Sequence, residues 1–355
     1  MSQTKVKAPF VENNKPFRNK IINGNFQIFQ RTTSATTAGN NTYTTADRWK
    51  TQVSNDGAIT TEQESLSLAD QATTGSQKAW EIKCTSTDSS IASNQYALFL
   101  QSIEAQFLQD LLYGTSSAKT LTCSFWVKSS LTGTYGFFAI KGDTTAYYLP
   151  IEFTIDSANT WEKKVIEISP TAGSTSLITG SGGVIDNDNG IGFDIGICLA
   201  MGSNFQGTNN TWTTSGHYTT SNQVNFLSNT SNNFYITSFQ LEVGDQATEF
   251  EVLPHDVQFH RCQRYFQKIT HRYRIVTRWN NNSGVPIGYM DFMQTMNHEP
   301  TVTNSGTYED GTGYAQTPSY GGTTADGTYI AGAVSVSTNN TNYIHNGVSE
   351  MDAEL

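Results

Sequence analysis

Between residues 80 and 243 apolar side chains recur at every second position in short runs, the period of strands with one buried face. Leu121, Cys123, Phe125 and Val127 share one face of a strand over Leu121–Lys128, and Phe193, Ile195, Ile197 and Leu199 share one over Ile191–Leu199. Similar runs cover Trp80–Cys84, Tyr135–Lys141, Tyr147–Ile155, Lys163–Ile168 and Phe234–Val243, with Ile21, Phe26, Ile28 and Trp49 opening the series. In the last run Tyr235, Thr237, Phe239, Leu241 and Val243 fall on one face, and Ser238, Gln240 and Glu242 on the other. Two sheets that bury these faces against each other make a β-sandwich over residues 19–253. One segment departs from period two: Leu100, Ile103, Phe107, Leu108, Leu111 and Leu112 recur at helical spacing and predict a helix over Gln101–Gly114. Stretches rich in Thr, Ser, Asn and Gly at 32–46, 54–78, 169–190 and 202–233 predict long loops gathered at the sandwich rims.

After Pro254 the period changes. Phe259, Cys262, Phe266 and Ile269 recur at spacings of three, four and three, which predicts a connecting helix over residues 254–271 whose seam seeks partner helices, with Asp256 placed to stabilise its N-terminus. Beyond it, residues 272–355 read as a small distal β domain. Its strand candidates Tyr273–Trp279, Pro286–Met296, Tyr329–Ser337 and Thr341–Met351 are punctuated by Gly311, Gly313, Gly321, Gly322 and Gly327. Such strands are marginal alone. Three copies around a common axis would bury them, so a homotrimer is expected, set by the helix.

Composition narrows the partners. The 355 residues carry 31 acidic against 21 basic side chains, a net charge of -10. That balance argues against nucleic acid, whose phosphates demand clustered Lys and Arg, and against an anionic membrane surface. No stretch of eighteen apolar residues occurs, so no membrane insertion is expected. Cys84, Cys123, Cys198 and Cys262 are far apart and without zinc spacing, and read as buried reduced thiols.

Several segments together carry a resemblance: Asn19–Arg31 (NKIINGNFQIFQR), Ala46–Trp49 (ADRW), Leu121–Lys128 (LTCSFWVK), Asn159–Lys164 (NTWEKK), Asn189–Asp194 (NGIGFD), Gln223–Leu227 (QVNFL) and the junction Asn233–Lys268. Collinear from about residue 19 to 268, the chain resembles phage virion appendage proteins, tail-fibre or head-fibre subunits. Their main domain is similar to a carbohydrate-binding jelly roll. The resemblance implies an all-β chain in which the sandwich is a jelly roll. It also implies a location in the virion after assembly in the host cytoplasm, contacts with other virion proteins through a tail or capsid adaptor, and host-surface glycan as a partner. Residues 1–18, with Lys5, Lys7, Lys15 and Arg18 against Glu12 and breaks at Pro9 and Pro16, then read as an extended virion-attachment segment. The implied role is a tail-fibre subunit presenting β domains to the host surface. The alternatives are a capsid or head fibre or connector without a receptor, and a glycan depolymerase.

Catalytic patterns are thin. Asp186 and Asp188 are a carboxylate pair without sign of a cleft, no G-x-S-x-G elbow occurs, and His255 and His260 stand on different helix faces, so neither an enzyme nor a metal site is expected. Asp186–Gly190 imitates the start of a calcium loop, but Ile197 stands where the loop needs Glu, which favours a polar turn. Gly190, Gly192 and Gly196 lie in a strand rather than before a helix, and no cofactor is expected. For sugar binding, rings off the core face matter, because sugar C–H faces stack on them. Trp126, Trp212 and Tyr218 are the candidates in the sandwich, with Tyr43 and one of Tyr147 and Tyr148 also turned outward; Tyr308, Tyr314 and Tyr320 are those of the distal unit.

Overall fold

The alternating runs fold as strands with their apolar faces inward, in a computed structural model that describes residues 16–37, 42–277, 285–310, 315–316, 318–332 and 341–355. The chain divides after Pro254 into two units. The first holds β1 (Ser34–Thr37), β2 (Lys50–Ser54), β3 (Ala58–Ser65), β4 (Lys78–Ser86), β5 (Tyr96–Glu104), β6 (Leu121–Ser129), β7 (Gly133–Lys141), β8 (Tyr147–Ile155), β9 (Glu162–Ile168), β10 (Ile191–Met201) and β11 (Asn233–Val243). They form a six-stranded sheet, β1-β3-β4-β11-β6-β9, and a five-stranded sheet, β2-β5-β10-β7-β8. From β4 onward every connection but β7 to β8 changes sheet, the alternation of a jelly-roll sandwich.

Aromatic rings fill the space between the sheets. Phe125 stacks on Phe239 at 5.2 Å and meets Phe153 edge-on at 5.4 Å, while Trp49 and Trp80 flank Phe26 at 5.2 and 5.7 Å. Phe26 belongs to the opening segment, which inserts between the sheets instead of forming an edge. Asn19 holds it there: its Oδ1 accepts from the Ile21 and Leu241 amides, both at 3.0 Å, and its Nδ2 donates to the Phe239 carbonyl at 3.2 Å. A Cβ on Gly24 would stand 2.0 Å from that carbonyl oxygen, so only glycine permits this approach. The opening and junction segments of the resemblance are thus packed on one another.

Three expectations for this unit are corrected. The helix over Gln101–Gly114 is instead the end of β5 followed by a 3-10 turn, Ala105–Leu111. Phe99 and Ile103 of β5 face the core while Leu98 and Leu100 lie in a second apolar cluster on the other side of the sheet. A strand buried on both faces loses its alternation, and its apolar run matches a helical template. Second, Tyr235 and Thr237 do not share a face with Phe239 and Leu241. The pairing of β11 with β6 shifts between Thr237 and Gln240, where Ser238 takes φ 52°, so Phe234 and Ile236 join Phe239 and Leu241 in the core and Tyr235 turns outward. Third, the expected loop 54–78 contains β3 and a helix, α1 (Leu68–Thr74), capped by the Ser67 side chain.

The second unit holds α2 (His255–Gln263), β12 (Phe266–Thr277), β13 (Val285–Asp291), β14 (Thr301–Asp310), β15 (Ala315–Gln316), β16 (Pro318–Gly321), β17 (Gly327–Gly332) and β18 (Thr341–Asp352). Its sheets run β12-β18-β14-β15 and β13-β17-β16. The connecting helix expected to residue 271 stops at Gln263. Phe266 and Ile269 lie in β12, opposite Asp352 and Ser349 of β18. Aromatic and β-branched residues from Tyr265 through Thr270 favour the strand, and nine helical residues fall short of the heptads a coiled coil needs. Cys262 and Phe266 are buried, and Ile269 packs on the cluster of Met290, Met296, Met351 and Ala353, so these three are used within their own unit. Phe259 stacks on His255 at 6.2 Å. Only Phe259 and Cys262 lie in the helix, so the four residues do not form one helical stripe.

Candidate functional site

Trp126, Trp212 and Tyr218 do not meet. Trp126 stands on the outer face of the six-stranded sheet. Trp212 is 2% exposed, its Nε1 donating to the Ser169 carbonyl at 2.8 Å, and belongs to the core. Its rim lines a cavity of about 600 Å³ with Ser203, Gln206, Thr208 and His217. Tyr218 lies on the outer face of the five-stranded sheet. Tyr314 falls outside the described residues, as do the side chains of Tyr308 and Tyr320, and so do Lys5, Lys7 and Lys15. Arg18 is held within the first unit: Nε donates to Thr248 Oγ1 at 2.9 Å, Nη2 to the Glu249 carbonyl at 2.6 Å, and Glu242 and Glu251 lie within 3.8 Å.

Around Tyr218 the structure builds a basin. The strand period places Asp194, Gly196 and Cys198 of β10 opposite the core-facing Phe193, Ile195 and Ile197, hence on the outer surface of the sheet. Leu98, Leu100, Phe138, Ile140, Cys198 and Met201 make an apolar floor there, unusual for an outer face. The chain 202–225 covers part of it. The Tyr218 amide donates to the Phe205 carbonyl at 2.8 Å and the Gly207 amide to the Thr219 carbonyl at 2.7 Å, which folds a short ribbon onto the sheet. Gly136 receives that ribbon: a Cβ there would stand 2.3 Å from Thr219 Oγ1.

The ribbon brings rings together. Tyr218 meets Phe138 at 5.1 Å, Tyr148 at 5.6 Å and Phe205 at 6.1 Å, and Phe205 meets Tyr96 at 5.4 Å, all edge-to-face. Tyr96, Tyr148, Phe205 and Tyr218 stay partly exposed over the buried floor. Of the adjacent pair, Tyr148 is the outward tyrosine and Tyr147 the buried one. At one end of the basin Asp194 accepts from Ser102 Oγ at 2.5 Å, with Lys50 and Arg48 nearby. Burial pushes the Asp194 carboxyl above the usual carboxylate range, and Lys50, Ser102 and Arg48 pull it partly back. The Tyr218 phenol is raised first by burial and then by Tyr148, Asp194, Cys198 and Tyr96, so it remains a proton donor at neutral pH.

Chemically, the basin offers flat apolar rings, phenolic hydroxyls that donate and accept, and the Asp194 carboxyl, with Arg48 and Lys50 buried beside it. Glycosidase chemistry needs two carboxyls about 5–9.5 Å apart. Asp186–Gly190 is a polar turn: Asp188 Oδ1 accepts from the Gly190 amide at 2.9 Å. Among the described residues no three His, Cys, Asp or Glu side chains stand together as metal ligands. Tyr96, Phe205, Asp194 and Lys50 were missed in the sequence. The outward positions of Asp194 and Tyr148 follow from alternation, whereas Phe205 and Tyr218 reach the basin only through the fold of a Gly-rich loop.

No protein-family model matches the chain, and no curated protein matches it. Solved structures to which it is similar include the enzymatically active domain of tailspike protein 4 of Bacteriophage CBA120, at 10% identity and TM-score 0.32, covering 65% of this chain and 22% of that one. The family 11 carbohydrate-binding module of a cellulosomal cellulase of Clostridium thermocellum matches at 16% identity and TM-score 0.30, covering 56% and 90%. The TmCBM61 module in complex with β-1,4-galactotriose matches at 10% identity and TM-score 0.28, covering 64% and 99%. At these TM-scores the likenesses carry no argument about this chain.

Proposed function

We propose that this protein is a virion appendage subunit that binds host-surface glycan in the tyrosine basin of its five-stranded sheet. The observation that carries the binding is the set of partly exposed rings Tyr96, Tyr148, Phe205 and Tyr218 over an apolar floor, ended by Asp194 and Lys50. Rings accept the C–H faces of a pyranose, while phenols and a carboxyl address its hydroxyls. The virion setting is supported by the collinear sequence resemblance. Single sites of this kind are weak, and many copies on one particle hold a surface by avidity.

Titration of the purified chain with soluble polysaccharide from candidate host surfaces, followed by calorimetry, tests the binding. Tyr148→Ala is expected to weaken it about two- to twelve-fold, the worth of one aromatic contact, and Tyr148→Phe less. Undiminished affinity in Tyr148→Ala and in Asp194→Asn would remove the basin from the reading. Shortened glycan chains after incubation would replace binding by hydrolysis.

A further inference from the structure

The outer face of the six-stranded sheet is organised differently from the basin and does not depend on it. Its cross-strand register builds two rows. In one, Lys128 of β6, Tyr235 of β11, Glu81 of β4 and Glu62 of β3 are successive neighbours, and Trp161, just before β9, closes the row beside Lys128. In the other, Lys163 of β9 neighbours Trp126 of β6, which neighbours the buried Thr237 of β11, and Glu64 of β3 neighbours the buried Ala79 of β4. The ammonium of Lys128 lies 4.5 Å from the Tyr235 ring centroid and 4.9 Å from that of Trp161. Val165, on the same face, is 56% exposed. The Trp161 Nε1 is buried and has no acceptor among the described residues.

The face is therefore divided. Its β9–β6 half presents two tryptophans and two lysines, with the exposed Glu167 further along β9, and its β4–β3 half presents Glu62 and Glu64 beside a buried Glu81, with Lys83 bridging Glu62 at 2.8 Å and Glu81 at 3.2 Å. From β6 to β3 is three strand spacings, about 14 Å. A two-fold axis in the plane of the face, parallel to the strands and running between β11 and β4, lays the basic, aromatic half of one copy over the acidic half of another. This is the self-complementarity an isologous contact requires. Trp and Tyr are also the side chains that anchor such contacts. We propose that this face is the contact surface for a second copy of the chain, with Trp126, Trp161 and Tyr235 as anchors and Lys128 and Lys163 set against Glu62 and Glu64 of the facing copy.

Zero-length carbodiimide coupling in a mixture of isotope-light and isotope-heavy chains tests it. Within one chain the β6 and β3 columns stand about 14 Å apart, too far for direct coupling, so a Lys128–Glu62 bond must join two copies. Mixed-isotope bonds between Lys128 or Lys163 and Glu62 or Glu64 are expected. In sedimentation, Lys128→Glu with Lys163→Glu is expected to weaken self-association at least about ten-fold, and adding Glu62→Lys and Glu64→Lys to the same chain to restore it. A chain that stays monomeric up to about 100 μM overturns the proposal, as does association without these bonds or at wild-type strength in the charge-reversed chain. Should the variants misfold by circular dichroism, coupling in the unsubstituted chain decides alone.

Discussion

The two outer faces of the sandwich answer the same problem in opposite ways. On the five-stranded sheet Leu98, Leu100, Phe138 and Ile140 turn outward, and the chain 202–225 folds back to cover them, leaving tyrosines at the margin. On the six-stranded sheet Glu62, Glu64, Lys83, Lys128 and Lys163 stand among partly exposed rings and are themselves at least partly exposed. An apolar outer face needs a lid from its own chain, and a charged one can stay in water. The lid leaves partly exposed rings at its margin, whereas the charged face is suited to another surface.

That contrast makes core substitutions the most damaging. Phe138→Ala, under the ribbon and fully buried, is expected to lose about 3–5 kcal/mol in urea unfolding, with 202–225 becoming the first site of limited proteolysis. Trp126→Ala on the opposite face is expected to cost much less. Equal losses would mean that the two faces are not different in kind.

A smaller effect comes from pH. Asp194 titrates above its ordinary value in the folded chain, so the fold keeps that proton to higher pH than the unfolded chain does. The stability tied to the protonated form is full below about 3.9 and is lost as pH rises through the folded value. Urea midpoints measured upward from pH 4 should show this decline, at most about 1.4 kcal/mol per pH unit, and Asp194→Asn should flatten it. An unchanged slope in the variant would place the titration elsewhere.

The smallest effect is expected on the charged face. The Lys83 and Glu62 side chains are 39% and 33% exposed, so Lys83→Ala should cost only about 0.2–1 kcal/mol and less in high salt. Lys83 lowers the Glu62 carboxyl chiefly through their hydrogen bond. A loss above 2 kcal/mol, insensitive to salt, would show that the pair is far more buried than its exposure indicates.

Strands with one buried face were legible from period two alone: Leu121–Lys128 became Leu121–Ser129, Tyr147–Ile155 was met residue for residue, and Ile191–Leu199 extended to Met201. All four cysteines are buried thiols outside any disulfide, as their spacing suggested. Legibility failed where two faces were buried, in β5, and where a strand was polar, in β3. Of the basin, alternation reveals Tyr148 and Asp194, but nothing local says that Phe205 and Tyr218 come to meet them.

By itself, then, the sequence determined the class of the molecule and the inward faces of most strands, because alternation is a local property of the pleated backbone. Only the tertiary structure decided which outer face is covered, since that depends on 202–225 finding Gly136 from a distance along the chain. The same holds for Tyr235. Its outward turn comes from a bulge in pairing with β6, and a register shift belongs to two strands at once, so one strand read alone cannot contain it.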